Sequence, residues 1–268
     1  MKPRRRSSSF AWTGALLFAL LGAALFAAHR NELGLIARVA ERIDAGRPLS
    51  GDQRLALYVR FAHDVLRDPQ SLAEVHPWPI RLYYLLNPLH PSAGDVLQWG
   101  SDYRGSCGSH SRVVAAMLRA RGTPSRLRLL LDDRMRSIHT VVEARLGDRW
   151  IVGDAQYGIA YRRWDGAPAT AADLAADPAL LRAQTDTVPG YNPDYDYDAT
   201  TLLNWQKVPV ILPAIHDGLV RILGPERVAG LTRPTIWMWP RAFYALVCLF
   251  LSAAFALAAM GLGRAARP

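Results

Sequence analysis

Cysteine is scarce in this chain, with two residues, Cys107 and Cys248, in 268. That excludes a disulfide scaffold, and with no second Cys-x-x-Cys or His-x-x-x-His set it offers no structural zinc site. There is no internal repeat and no long low-complexity tract, which excludes solenoids and disordered arrays. Acidic residues are outnumbered, 23 against 32 basic ones, for a net charge of +9. A basic chain can mean nucleic acid. Here four of the cations, Lys2 and Arg4 to Arg6, crowd the first six positions, and the others are scattered among acids. The excess reads as membrane topology and arginine-rich composition, with no nucleic-acid footprint.

What is present in quantity is apolar sequence at the two ends. Phe10 to Ala28 is an uncharged run of 19 residues and Ala242 to Gly263 one of 22. Each is long enough to cross a hydrocarbon core of about 30 Å. The first has the basic start of either a signal peptide or an anchor; its long apolar core and loose cleavage site favour an uncleaved anchor. Lys2, Arg4 to Arg6, Arg264 and Arg267 favour both ends in the cytoplasm, against Arg30 and Arg241 on the other flank. The expected layout is a cytoplasmic basic tail over 1–9, a transmembrane helix or signal anchor over 10–28, and a helical support region over 29–95. A catalytic core over 96–160 and a loop-rich, amphipathic extension over 161–235 follow, then a transmembrane helix over 242–263 and a cytoplasmic tail over 264–268. Residues between the spans would then lie outside the cytoplasmic (inner) membrane, on the periplasmic side. The lipid bilayer is the expected partner, and the sequence carries no statement of oligomeric state.

In such an oxidising compartment Cys107 has no intramolecular partner, because Cys248 lies in the second span. A thiol kept there is either used or buried as a small hydrophobe. Its surroundings favour use. From Ser109 the apolar residues Val113, Val114, Met117 and Leu118 recur at helical spacing, and Gly122 with Pro124 makes a stop. Cys107 therefore sits at a helix N-terminus, where the partial positive charge favours thiolate. Leu127 to Leu131, Ile138 to Leu146 and Trp150 to Val152 have strand character, with Gly147-Asp148 as a two-residue hairpin turn. Alternation puts His139, Val141 and Glu143 on one face, and Trp150, Val152 and Asp154 on one face of the next strand, so pairing can bring His139 near Asp154.

Upstream, Ser50 is a candidate N-cap for a helix through Val65 that ends near Asp68-Pro69, and Pro77, Pro79, Pro88 and Pro91 break the chain into turns. Downstream, short helices are expected around Ala171-Leu174 and after Asp177-Pro178, with Asp177 as cap. Asp194, Asp196 and Asp198 alternate with tyrosines; lacking the glycine and glutamate of a calcium loop, they read as a solvated acidic loop near the cleft. Val208 to Leu223 is too mixed to span and would lie on the membrane surface or pack on the domain. Trp237 and Trp239 fit an interfacial belt.

A thiol, an imidazole and a carboxylate in the order Cys107, His139, Asp154 are the parts of an activated nucleophile. The order is wrong for a nucleophile elbow, where the acid precedes the histidine, and the Cys-to-His interval is too short for a papain-type protease. The words Tyr103-Arg104-Gly105-Ser106-Cys107-Gly108, Leu118 to Arg126, His139-Thr140-Val141-Val142-Glu143 and Arg149 to Gly158 resemble the transglutaminase-like superfamily. The resemblance covers roughly a fifth of the chain. It departs from the family at Thr140, where an aromatic often follows, and at Ala155, where proline is frequent.

The resemblance implies an α+β, papain/transglutaminase-like core, a helix carrying cysteine on an antiparallel sheet, here flanked by two transmembrane helices. It also implies Cys107 as nucleophile, His139 as general base and acid, and Asp154 as its orienting partner, with no cofactor and no metal. The expected activity is thiol acyl transfer on a peptide or protein amide, hydrolysis ahead of transamidation. The alternative is a non-catalytic module of the same fold that binds peptide or glycan in envelope or polysaccharide assembly. The oxyanion hole defaults to the Cys107 backbone N–H, with Gln98 or Tyr103 as further candidates. A zinc site from Cys107, His110, His139 and Asp154 is disfavoured; His110 reads as a cleft-rim or capping residue, and Glu143 as a solvated strand residue or a second acid near the site. His63, His76 and His90 read as structural or solvent-exposed.

Overall fold

The computed structural model describes residues 4–66, 92–99, 107–134, 136–203, 211–232 and 238–264. Helix α1 (Arg4–Asp44) is one continuous rod of 41 residues, so the first apolar run and the helix expected beyond it are a single element. Helix α2 (Gly51–Val65) starts at Ser50, whose backbone N–H donates to Gln53 Oε1 at 2.9 Å, half of a capping box. A short helix, α3 (Ala93–Trp99), and the central helix α4 (Cys107–Ala120) follow. The proline turns expected between Pro77 and Pro91 lie outside the described residues.

Strands β1 (Ser125–Leu131), β2 (Ser137–Leu146), β3 (Arg149–Asp154), β4 (Ile159–Ala160) and β5 (Thr200–Thr201) form one antiparallel sheet in the order β4-β3-β2-β1-β5. Gly122 at φ 76° ends α4 in the left-handed conformation, and Gly147 at φ 59° makes the β2–β3 hairpin with Leu146 paired to Arg149. Helices α5 (Ala171–Ala176) and α6 (Pro178–Thr185) pack at the far side. Asp177 caps α6 by accepting from the Leu180 N–H at 3.1 Å, with Pro178 in the first turn. Helices α7 (Ile211–Leu223), α8 (Pro225–Ala229) and α9 (Pro240–Arg264) complete the described chain.

The architecture is α+β, with two hydrophobic cores, one on each face of the sheet. On one face α4 (Val113, Val114, Met117) and α2 (Leu55, Val59) pack on Val142, Ala144 and Ile151. On the other, Leu130, Val141 and Val152 meet Tyr161, Leu174, Leu180 and Tyr197. This two-sided burial accounts for the long apolar content of β2, whose residues Thr140 to Ala144 are all buried. Helices α1 and α9 run antiparallel beside each other, with Phe18 stacked on Phe255 at 5.6 Å and Ser252 Oγ donating to the Ala15 carbonyl at 2.7 Å. Both are long and apolar enough to cross a membrane.

Candidate functional site

Cys107 opens α4, His139 lies near the start of β2, and Asp154 ends β3. Two local features aim them. The β1–β2 ladder pairs Leu130 with His139 and then slips, so that Leu131 pairs with Ser137; this bulge bends the strand beside the imidazole. One turn into α4, Ser111 Oγ donates to the Thr140 carbonyl at 2.8 Å, pinning the helix N-terminus to the backbone next to His139.

His139 Nε2–H donates to Asp154 Oδ2 at 2.7 Å, with both side chains buried. A carboxylate can only accept, so this bond sets the tautomer and leaves Nδ1 as the nitrogen for Cys107. Nδ1 itself is buried and makes no hydrogen bond of ordinary geometry among the described residues. Asp154 Oδ1 accepts the backbone N–H groups of Gln156 at 3.0 Å and Tyr157 at 3.4 Å, which anchors the carboxylate. Behind it, His63 Nδ1–H donates to the Gln156 carbonyl at 2.6 Å and so braces that turn from α2.

The electrostatics of the pair are reciprocal. Burial works against a Cys107 thiolate, but hydrogen bonding and charge from His139, with the Thr140 backbone and side chain adding to them, bring the thiol below its ordinary value. Burial likewise works against an imidazolium at His139. Asp154, and then Cys107, outweigh it and raise the ring well above an ordinary histidine. Both shifts favour thiolate and imidazolium together.

The sequence reading missed an aromatic wall. Tyr195 stacks on His139 with ring centroids 4.2 Å apart and planes 11° from parallel, and Tyr157 leans on the same ring at 5.8 Å. Tyr191 packs against both tyrosines at 4.8 and 5.5 Å. The acidic loop is thus two-sided: Tyr195 and Tyr197 turn inward, while Asp194, Asp196 and Asp198 are exposed. Alternation of tyrosine with aspartate was the available signal, since period two separates a buried face from a wet one.

Other residues are placed differently from expectation. His110 is no rim or cap: it is fully buried, with both ring nitrogens lacking a hydrogen-bond partner among the described residues, and burial lowers it to about 4. Glu143 is neither solvated nor a second acid of the site. It is buried, and Arg126 and Arg128 each donate through Nε to its carboxylate, because the β1–β2 register sets both arginines on the same face of the sheet as Glu143. Gln98 is exposed, and Tyr103, His76 and His90 lie outside the described residues. Among the described residues no group of three or more His, Cys, Asp or Glu could hold a metal ion.

Residues 73–155 match the family model of the transglutaminase-like superfamily. Over that segment the chain is similar to the superfamily's core, and the match takes in Cys107, His139 and Asp154. No curated protein and no solved structure matches the chain.

Proposed function

We propose that the protein is a thiol acyl-transfer enzyme that cleaves amide bonds in peptides or proteins outside the cytoplasmic membrane, anchored there by α1 and α9. The observation that carries this reading is the His139 Nε2 to Asp154 bond of 2.7 Å, which turns Nδ1 to the Cys107 thiol at a helix start. In the reaction the Cys107 thiolate attacks the amide carbonyl carbon, and the carbonyl oxygen takes up the negative charge. The N–H groups of the first turn of α4 have no intrahelical acceptor and can stabilise that oxyanion. As the C–N bond breaks, the His139 imidazolium gives its proton to the leaving amine. Water then attacks the thioester while His139 takes its proton, releasing the carboxylate product and restoring the thiolate. An amine in place of water gives transamidation.

The test is the rate of Cys107 alkylation by iodoacetamide against pH, in wild type and in His139→Ala. The wild-type rate should reach its plateau well below the ordinary thiol value of about 8.5, and the substitution should return the profile to that value. An ordinary or unreactive thiol in both proteins overturns the enzyme and leaves a binding module of the same fold.

A further inference from the structure

A cavity of about 220 Å³ lies at the other end of the core from Cys107 and His139, lined by Arg119, Ser125, Arg126, Trp150, Thr232 and Met238. Arg119 is 12 residues along α4 from Cys107, or about 18 Å of helix. Arg126 is four residues along β1 from the partner of His139, or about 13 Å of strand. The cavity therefore shares no residue with the thiol site.

Its walls are cationic and incompletely used. Arg119 spends Nε and Nη2 on the Ser125 carbonyl at 3.2 and 2.6 Å, and among the described residues it has no carboxylate partner. Arg126 spends only Nε, on Glu143, and its guanidinium lies over the Trp150 ring at 4.1 Å. Glu143 is shared with Arg128, so one carboxylate answers two guanidinium groups and leaves Arg119 uncompensated among the described residues. The stacking and the Ser125 contacts hold both forks in place, which removes much of the entropy cost of closing them on an anion. A volume near 220 Å³ is below that of drug-sized ligand pockets, about 300 Å³ and up. It suits a tetrahedral oxyanion with a small substituent. Arginine forks match phosphate in geometry as well as charge.

Position narrows the source. Met238 is two residues ahead of Pro240, where the second candidate span begins, so the cavity opens beside the point at which the chain would enter a bilayer. We infer that this cavity binds a phosphate-bearing anion, held by Arg119 and Arg126, at the membrane-proximal edge of the core. A phospholipid headgroup and a small soluble phosphate ester present the same chemistry, and they are separable by experiment.

The full chain in neutral detergent would be titrated at constant ionic strength with inorganic phosphate and, separately, with dihexanoyl-phosphatidylglycerol, with thermal unfolding as the readout of binding. A saturable rise in Tm with either probe is expected. Arg119→Gln should weaken it about tenfold or more, as for a lost charged hydrogen bond. Thr232→Glu, at an exposed position on the cavity wall, should abolish it by placing a carboxylate beside the two arginines, and it decides the matter where Arg119→Gln fails to fold. Stabilisation by the lipid alone, or by the lipid about tenfold more tightly, assigns the headgroup; equal or stronger response to phosphate assigns a soluble ester. No response to either probe, or the same response in Thr232→Glu as in wild type, overturns the inference.

Discussion

His110 shows how one side chain can sit at odds with the fold around it. It lies one turn after Cys107, fully buried, with Asp154, His63 and His139 as charged or titratable neighbours and, among the described residues, neither ring nitrogen bonded. Burying an unpaired polar group costs about 1–3 kcal/mol, so His110→Leu is expected to raise the Tm at pH 7, by about 2–4 °C per kcal/mol gained. The pH dependence follows from the same burial. Because the native ring is lowered to about 4, the unfolded chain binds more protons than the native one between that value and the ordinary 6.5. Stability therefore falls as pH drops through that window, by up to about 3 kcal/mol for a shift of this size. His139, raised instead, acts in the opposite sense at higher pH and does not cancel it. Thermal melts of wild type and His110→Leu should already differ at pH 7, by the cost of the unpaired ring, and separate further as the pH falls to 4. A variant less stable than wild type at pH 7 shows that the ring has a partner.

At the level of elements, much was legible because local signals agreed. Gly122 and Pro124 marked the end of α4, Gly147-Asp148 marked the hairpin, and Asp177-Pro178 marked the start of α6, since each is a backbone requirement met by one or two residue types. The candidate site was legible in part for the same reason: the hairpin register carries His139 and Asp154 at similar distances from one turn. What was not legible came from packing between distant segments. Nothing within β2 says that Glu143 is buried, because the arginines that neutralise it lie on β1; nothing near His139 announces Tyr195, 56 positions later. Gly153 is another such position. A Cβ there would stand 2.8 Å from Val59 Cγ1 and 2.9 Å from Leu55 Cδ1, both in the buried core where α2 crosses β3. Gly153→Ala must push α2 away or displace the end of β3 that carries Asp154. A loss of about 1–3 kcal/mol is expected, read as a lower Tm, with slower alkylation of Cys107 at neutral pH. Unchanged Tm and thiol reactivity would mean that α2 yields freely and does not position Asp154.

For the whole molecule, the two apolar helices and the core are one construction. Gly22 brings α1 so near α9 that an added Cβ would lie 3.3 Å from the Ala245 carbonyl oxygen. Where the pair meets the core, Arg241 of α9 is held by Glu32 of α1, at 3.1 Å, by Asp95 of α3 and by Ser92 just before it. That cluster explains why Arg241 stands at the start of an apolar run, a position that weakens any orientation argument from flanking charge alone. Its charge is spent on buried carboxylates and so does not report which side it faces. The remaining signal is in the sequence at the other end of the two helices, where Arg4 to Arg6 open α1 and Arg264 closes α9. On the positive-inside preference, the proposal of a core outside the cytoplasmic membrane predicts that both termini are cytoplasmic. In a Cys107→Ser, Cys248→Ser background, Ser7→Cys should react with a membrane-impermeant maleimide only after the cells are opened, and Thr232→Cys in intact spheroplasts. Labelling in the reverse order would place the core in the cytoplasm. Cys107 would then sit in a reducing compartment, and its freedom from disulfide pairing would say nothing about use.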